Sequence, residues 1–354
     1  KRWLDALRYR KMIFLDNDIY KKQINQIACD IEFDNKAILV TGATGLIGSC
    51  IIDALLMANI DMKKNNSIYA MGRSKKKLEQ RFCSHDNLHF IEHDLLNDFN
   101  TDIDFDYIIH TASNADPVLY STNPVETIMT NIRGCETLCK YCSVHNKARM
   151  LYTSSFEVYG KLDKDEYVEA DSGIIDLNIL RNCYPESKRV SEFLIKAYIE
   201  QYKINAVITR LPSVFGPTMS KTDTKAHAQF LRNGLNQNDI ELKSSGEQVR
   251  AYCYVMDVVL AIFKILLHGS DIVYNISTQE SITSIKNFAQ TVAKIANVKV
   301  KTAEQSEQEK RSFSKPQNCI LNSEKLYGLG YNHMFSLEQG ICSTLKILED
   351  DRLK

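Results

Sequence analysis

Tyr184 and Lys188 stand four residues apart in the run Tyr184-Pro185-Glu186-Ser187-Lys188, a spacing that puts both side chains on one face of a helix. An ammonium beside a phenol favours the phenolate, so the pair predicts a tyrosine titrating below its usual ~10. Such a tyrosine can take the proton of a hydroxyl group. Ser154-Ser155 lies between this pair and a glycine-rich run far upstream, Thr41-Gly42-Ala43-Thr44-Gly45-Leu46-Ile47-Gly48. Together they suggest oxidation of an alcohol or sugar hydroxyl, with hydride passing to a nicotinamide.

The glycine run follows an apolar strand, Ala37–Val40, and opens a helix, Leu46–Ala58, the context that a dinucleotide-binding turn requires. Gly42 permits the tight turn, Gly45 lets the backbone approach a pyrophosphate, and Gly48 allows helix and sheet to pack closely. The N–H groups at the helix start, from Thr44 through Leu46 and Ile47, would bind phosphate. The second strand, Ser67–Met71, should end at the residue that distinguishes NAD from NADP. It ends at Gly72-Arg73-Ser74, with no acid. Arg73 suits a 2′-phosphate, yet it could equally stack on adenine or face solvent, and both cofactors stay open. After a third strand, Leu88–Glu92, Asp94-Leu95 is placed to contact the adenine; Asp94 could also cap the next turn.

Further strands at Asp106–His110, Arg149–Thr153 and Asn205–Arg210 alternate with helices at Asn131–His145 and Ser187–Tyr202. This alternation predicts an α/β chain: a doubly wound parallel (Rossmann) sheet over 35–212. Past Gly216-Pro217 the regularity weakens, predicting a smaller mixed α/β substrate-binding lobe over 213–354 that returns strands or helices to the first domain. Its readable elements are strands at Ile240–Leu242 and Val273–Ile276 and helices at Met256–Leu267 and Ile282–Ile295. Residues 1–34 read as a helical extension packed on the body or on another subunit. Asp16, Asn17 and Asp18 are its candidate caps, and Tyr20, Ile24, Ile27, Ala28 and Ile31 follow at helical spacing.

Composition narrows the function classes. The 354 residues are 44% apolar and 25% charged, those of a globular protein. Lys+Arg and Asp+Glu are both 44, which argues against nucleic acid as a partner. No run reaches the roughly 18 apolar residues needed to insert in a membrane. Lys1 to Leu7 lack the apolar stretch of a secretory signal, so the expected location is cytoplasmic. No metal site is expected. Cys135, Cys139 and Cys142 recur among the apolar positions of one predicted helix, as packing thiols do. His85, His89 and His93 alternate with Leu88, Phe90 and Ile91 as in a strand.

In order and type, these motifs resemble the extended short-chain dehydrogenase/reductase family of nucleotide-sugar epimerases, dehydratases and decarboxylases, over roughly residues 35–345. The resemblance rests on the glycine turn, His110-Thr111-Ala112-Ser113, Asn131, Ser154-Ser155-Phe156-Glu157-Val158-Tyr159-Gly160, Tyr184 with Lys188, Arg210…Gly216-Pro217, and Arg250-Ala251-Tyr252-Cys253-Tyr254-Val255-Met256-Asp257. It implies that Tyr184 is the base for the sugar hydroxyl and that Lys188 binds the nicotinamide ribose. It implies that Ser155 hydrogen-bonds the reacting oxygen, and that Thr111, Ala112, Ser113 and Asn131 line the cofactor site. Arg250 would bind the nucleotide diphosphate, with Ser155, Phe156 and Ser213 beside the sugar. It also implies a homodimer.

Glu157 bears on the subtype. In the family, 4,6-dehydratases and UDP-glucuronate decarboxylases carry glutamate here, and the run Arg181-Asn182-Cys183-Tyr184-Pro185-Glu186-Ser187-Lys188-Arg189 is close to the decarboxylase pattern. Phe156 stands where dehydratases have an aspartate acid, and a benzene ring cannot donate a proton. Ser213 replaces a usual asparagine. The resemblance therefore implies oxidation at C4 of a nucleoside-diphosphate sugar, then Glu157-assisted chemistry at C5 or C6, like a UDP-glucuronate decarboxylase. A 4-epimerase and a dTDP-glucose-type 4,6-dehydratase are the alternatives. A keto-sugar reductase and a catalytically silent nucleotide sensor come after them.

Overall fold

The structure, a computed structural model, describes residues 14–304 and 318–353, with side chains described to residue 350. The first thirteen residues of the expected extension, including the segment weighed as a signal, and residues 305–317 of the expected lobe lie outside the described residues.

Short apolar runs become the strands of one parallel sheet. Its members are β1 (Ala37–Thr41), β2 (Ser67–Gly72), β3 (Leu88–Glu92), β4 (Tyr107–His110) and β5 (Arg149–Ser155). After the two-residue β6 (Glu166–Tyr167) come β7 (Asn205–Leu211), β8 (Ser213–Phe215), β9 (Ile240–Leu242), β10 (Val249–Tyr254) and β11 (Val273–Asn275). The seven-stranded order is β11-β7-β5-β4-β1-β2-β3, every pairing parallel. The order reverses between β1 and β4, where doubly wound sheets bind ligands. The expected parallel α/β fold is the observed one. β11 lies far along the chain from the other six strands, yet it closes this sheet beside β7.

The helices are α1 (Asp18–Cys29), α2 (Leu46–Asp61), α3 (Lys75–Arg81), α4 (Pro117–Thr122), α5 (Pro124–Val144) and α6 (Cys183–Tyr202). They continue with α7 (Ala226–Leu235), α8 (Val255–His268), α9 (Ile285–Ala296), α10 (Glu324–Tyr327) and α11 (Leu337–Leu353). Two of them start at least a full turn earlier than the sequence pattern predicts. α5 begins at Pro124 and α6 at Cys183, because a proline in the first turn lacks only an N–H that would be unbonded there anyway.

α1 is capped by Asn17, whose Oδ1 accepts from Tyr20 N. It packs on α2 and α8 through a buried polar knot. The Tyr20 hydroxyl donates to Asp53 at 2.6 Å, and Arg81 forms an ion pair with the same carboxylate. Beyond β7, the strands β12 (Ile282–Ser284), β10 and β8 form a second small sheet. Two-stranded pairs join β9 to β13 (Val300–Thr302) and β6 to β14 (Ile320–Leu321). α7, α9 and α11 cover this part of the chain.

Candidate active site

The carboxyl ends of the parallel strands gather the predicted residues. Gly42 leaves β1, Arg73 leaves β2, Thr111 leaves β4, Phe156 leaves β5 and Ser213 follows β7. The glycine turn is sterically closed. Gly42 has φ +67°, and a Cβ there would lie 2.7 Å from Ala112 N; on Gly48 it would lie 2.5 Å from Gly42 O. Gly45 is the N-cap of α2 and supplies no side-chain cap. The first N–H groups of a helix have no partner within it, so those of Leu46 and Ile47 start a 16-residue helix uncapped by a side chain, as an anion site requires.

A cleft of about 480 Å³ opens beside this turn, lined by Gly42, Thr44, Gly45, Arg73, Asp94, Leu95, Thr111, Ala112 and Ser113, with Leu119, Asn123, Glu126 and Thr130 opposite. Leu46, Ile47, Gly48 and Asn131 are not among its walls. Asn131 is instead a strut: its Oδ1 accepts from Ser113 Oγ at 2.8 Å and its Nδ2 donates to Ser187 Oγ at 2.9 Å. Arg73 is exposed at the rim. Asp94 both faces the cleft and caps its own turn, accepting from Leu96 N at 3.1 Å. The residues present fit a dinucleotide: a cap-free helix start, a close backbone turn and a cleft at the switch point of the sheet.

The second cluster is buried. Ser155, Tyr184 and Lys188 are 7%, 6% and 2% exposed. Ser155 ends β5, hydrogen-bonds the Tyr184 phenol, and accepts at Oγ from Glu157 N at 3.2 Å. Lys188 lies one turn beyond Tyr184 on α6, as the spacing requires. Its Nζ donates to Thr153 O at 2.8 Å and lies 4.5 Å from the centre of the Tyr152 ring.

The electrostatics correct one expectation. Burial, then the Glu157 charge, push the Tyr184 phenol up to about 12, against hydrogen bonds from Ser155 and Tyr120 and the Arg181 charge, which lower it. Lys188 is itself driven down to about 7 by burial. Desolvation penalises whichever form carries charge, and it is the largest effect on Tyr184, which is raised rather than lowered.

Two residues at this cluster had no reading as partners from sequence. Tyr120, on α4, stacks on Tyr184 with ring centres 4.2 Å apart and planes 7° apart. Arg181, in the 3-10 turn Leu180–Asn182, pairs with Glu157 at 2.8 Å. A tyrosine 64 positions before Tyr184 carries no local signal of that contact. Arg181 was visible only as part of a pattern.

Glu157 itself sits in the 3-10 turn Phe156–Tyr159 directly after Ser155. Phe156 meets Arg250 of β10, whose guanidinium carbon lies 5.1 Å from the ring centre. Ser213 begins β8 and pairs in register with Tyr252 of β10. Ser154 belongs to the framework: its Oγ donates to Glu192, which also forms a buried ion pair with Arg210.

Among the described residues, no group of three or more His, Cys, Asp or Glu could hold a metal ion, and no helix is long and apolar enough to cross a membrane.

Comparison with known proteins matches residues 38–277 to the model of the NAD dependent epimerase/dehydratase family. UDP-glucuronic acid decarboxylase 5 of Arabidopsis thaliana is 31% identical over 323 residues, covering 90% of this chain and 89% of that protein. UDP-glucuronic acid decarboxylase 1 of Xenopus tropicalis is 29% identical over 315 residues, covering 89% and 72%. Among solved structures, UDP-N-acetylglucosamine 4-epimerase from Methanobrevibacter ruminantium superposes with a TM-score of 0.77 at 22% identity, over 90% of this chain and all of that one. UDP-glucuronic acid 4-epimerase from Bacillus cereus, in complex with UDP-glucuronic acid and NAD, gives 0.73 at 22% identity over the same shares.

Proposed function

The chain belongs to the NAD dependent epimerase/dehydratase family, a nucleotide-sugar-modifying enzyme, and we propose that within it the reaction is decarboxylation of a nucleoside-diphosphate uronic acid. The observation that carries this reading is Glu157 beside the Ser155–Tyr184 pair, with a non-acidic Phe156 between the two. The relatives named UDP-glucuronic acid decarboxylase support the same choice.

In this reading the site would hold a nicotinamide dinucleotide, which would supply reversible hydride transfer at C4 of the sugar. Leu46, Ile47 and the glycines would hold its pyrophosphate, and Lys188 would reach its ribose. Ser155 orients O4, and Tyr184 takes the O4 proton as the C4–H bond breaks. The resulting C4 ketone stands β to the C6 carboxylate. The C5–C6 bond then breaks, CO₂ leaves, and its electron pair enters the C4–C5 enolate. Glu157 governs this stage, at which C5 gains a proton drawn from water. Tyr184 finally returns its proton to O4. Arg250, seated on Phe156, holds the diphosphate. Dehydration would need a proton on a leaving hydroxyl, which Phe156 cannot give.

Arg73 at the rim, with no acid after β2, supports a site that accepts the 2′-phosphate of NADP as well as NAD. A homodimer is part of this reading, supported by α5 and α6, which pack together and expose Val125, Met129, Val190 and Phe193. The expected cytoplasmic location remains part of this proposal.

The test is Glu157→Gln mixed with UDP-glucuronate. C4 oxidation should proceed and reduced cofactor should accumulate in the nicotinamide absorbance, with no CO₂ released. Normal CO₂ release by this variant would remove Glu157 from the mechanism.

A further inference from the structure

The Tyr–Lys spacing makes Lys188 the expected electrostatic partner of Tyr184, but the ammonium is bonded to Thr153 O. A different cation stands against the phenol. Arg181 is 5% exposed, and its Nη1 donates to Glu157 Oε2 at 2.8 Å. Its guanidinium carbon lies 5.4 Å from the centre of the Tyr120 ring. That ring lies flat on Tyr184, and the two phenols are hydrogen-bonded. Among the described residues the buried Arg181 Nε has no hydrogen-bond partner, and Glu157 is the carboxylate that pairs with this guanidinium. One buried charge thus meets Glu157 directly and Tyr184 through Tyr120.

We propose that Arg181 is a positioning residue that holds the Glu157 carboxylate in place and balances its charge beside Tyr184, so that the phenol can give up its proton there. This rests on reading Tyr184 and Glu157 as the proton-transfer groups. Without Arg181, deprotonating Tyr184 would put two anions in one buried site, and like charges there oppose each other. Glu157 acts to keep the phenol protonated, and Arg181 acts in the opposite sense.

Among the described residues, the other groups around the pair are Ser155 and Tyr152 from β5, Tyr120 from α4, Cys183 beside Arg181, and Arg250 and Cys319 on the Glu157 side. Of these, only Arg250 is a permanent charge, and it lies over Phe156.

A fluorinated tyrosine placed at 184, titrated by ¹⁹F NMR in the cofactor-free protein, reads the phenol alone and needs no turnover. Arg181→Gln should move its titration upward by about one pH unit. Arg181→Lys should restore most of the difference, because it keeps the charge. Adding Glu157→Gln to Arg181→Gln should bring the titration back toward that of the unsubstituted protein.

A merely structural arginine would lower stability and leave the titration in place. An unmoved titration in folded Arg181→Gln overturns the proposal, as does a shift that Glu157→Gln fails to reverse. Should Arg181→Gln not fold, Glu157→Gln alone decides. It leaves Arg181 unopposed and should lower the titration, and no lowering overturns the proposal. If the sugar reading fails, the protein turns over no uronic acid yet the ¹⁹F shifts remain, which separates the two failures.

Discussion

Lys188→Met should make the cofactor-free protein more stable while removing its activity. The side chain is 2% exposed, and burial lowers its pKa from 10.5 to about 7. The sign follows from linkage. The unfolded chain binds the lysine proton more tightly than the folded one, so the native state is penalised at pH values below the unfolded pKa, fully so below about 7. The penalty fades as pH rises toward 10.5. At about 1.4 kcal/mol per pH unit, it amounts to about 4 kcal/mol at pH 7 and about 2 kcal/mol at pH 9. Methionine fills a similar volume without charge but gives up the bond to Thr153 O, which costs about 1–2 kcal/mol. The net expectation is a gain of about 2–3 kcal/mol at pH 7 that shrinks to near zero by about pH 9. Urea unfolding of both proteins across this range measures it. A variant that is less stable at pH 7, or a difference that stays constant with pH, would refute the buried-ammonium argument.

Three further outcomes follow from the geometry. Phe156→Ser removes the ring beneath Arg250 and should raise the KM for the nucleotide sugar at least about 2–5-fold with kcat nearly unchanged, since a cation–π contact contributes about 0.5–1 kcal/mol at an exposed site and more when half-buried as here; steady-state kinetics on UDP-glucuronate decides it. Gly48→Ala drives a methyl group to 2.5 Å from Gly42 O and should weaken cofactor binding at least ~10-fold by distorting the turn, read by calorimetry. Arg73→Ala should weaken NADP binding about 10-fold and leave NAD within about 2-fold, the loss of one phosphate contact being near 1.4 kcal/mol; an equal loss for both would place Arg73 on the adenine instead.

What the sequence made legible is what local spacing determines. The run Ala37–Thr41 ahead of Gly42 announces a strand and a phosphate turn. A helical step of four places Tyr184 and Lys188 on one face. Ser155 had to lie at the end of a strand, since the apolar run before it has the length and composition of one. What stayed hidden depends on contacts between distant segments. Tyr120 reaches Tyr184 because α4 lies over the start of α6. Val273–Asn275 closes the main sheet although its short run carries no register signal. The direction of the Tyr184 pKa was misread because spacing reports a neighbouring ammonium and says nothing of burial, the larger effect here. Arg181 stood in a recognisable pattern, but its pairing with Glu157 spans 24 residues and a turn. Asp94 had two readings, adenine contact and turn cap; it faces the cleft, and the cap is present.

The central claim is that Tyr184 takes the O4 proton as C4 of a uronic acid is oxidised, and that the keto sugar then loses its carboxylate under the control of Glu157. Mass spectrometry of the product formed from UDP-glucuronate tests it most directly. The account predicts a loss of about 44 Da, abolished in Tyr184→Phe although that variant still binds cofactor. An unchanged mass with altered retention, the signature of epimerisation, or a loss of about 18 Da from a hexose substrate, the signature of dehydration, would contradict it.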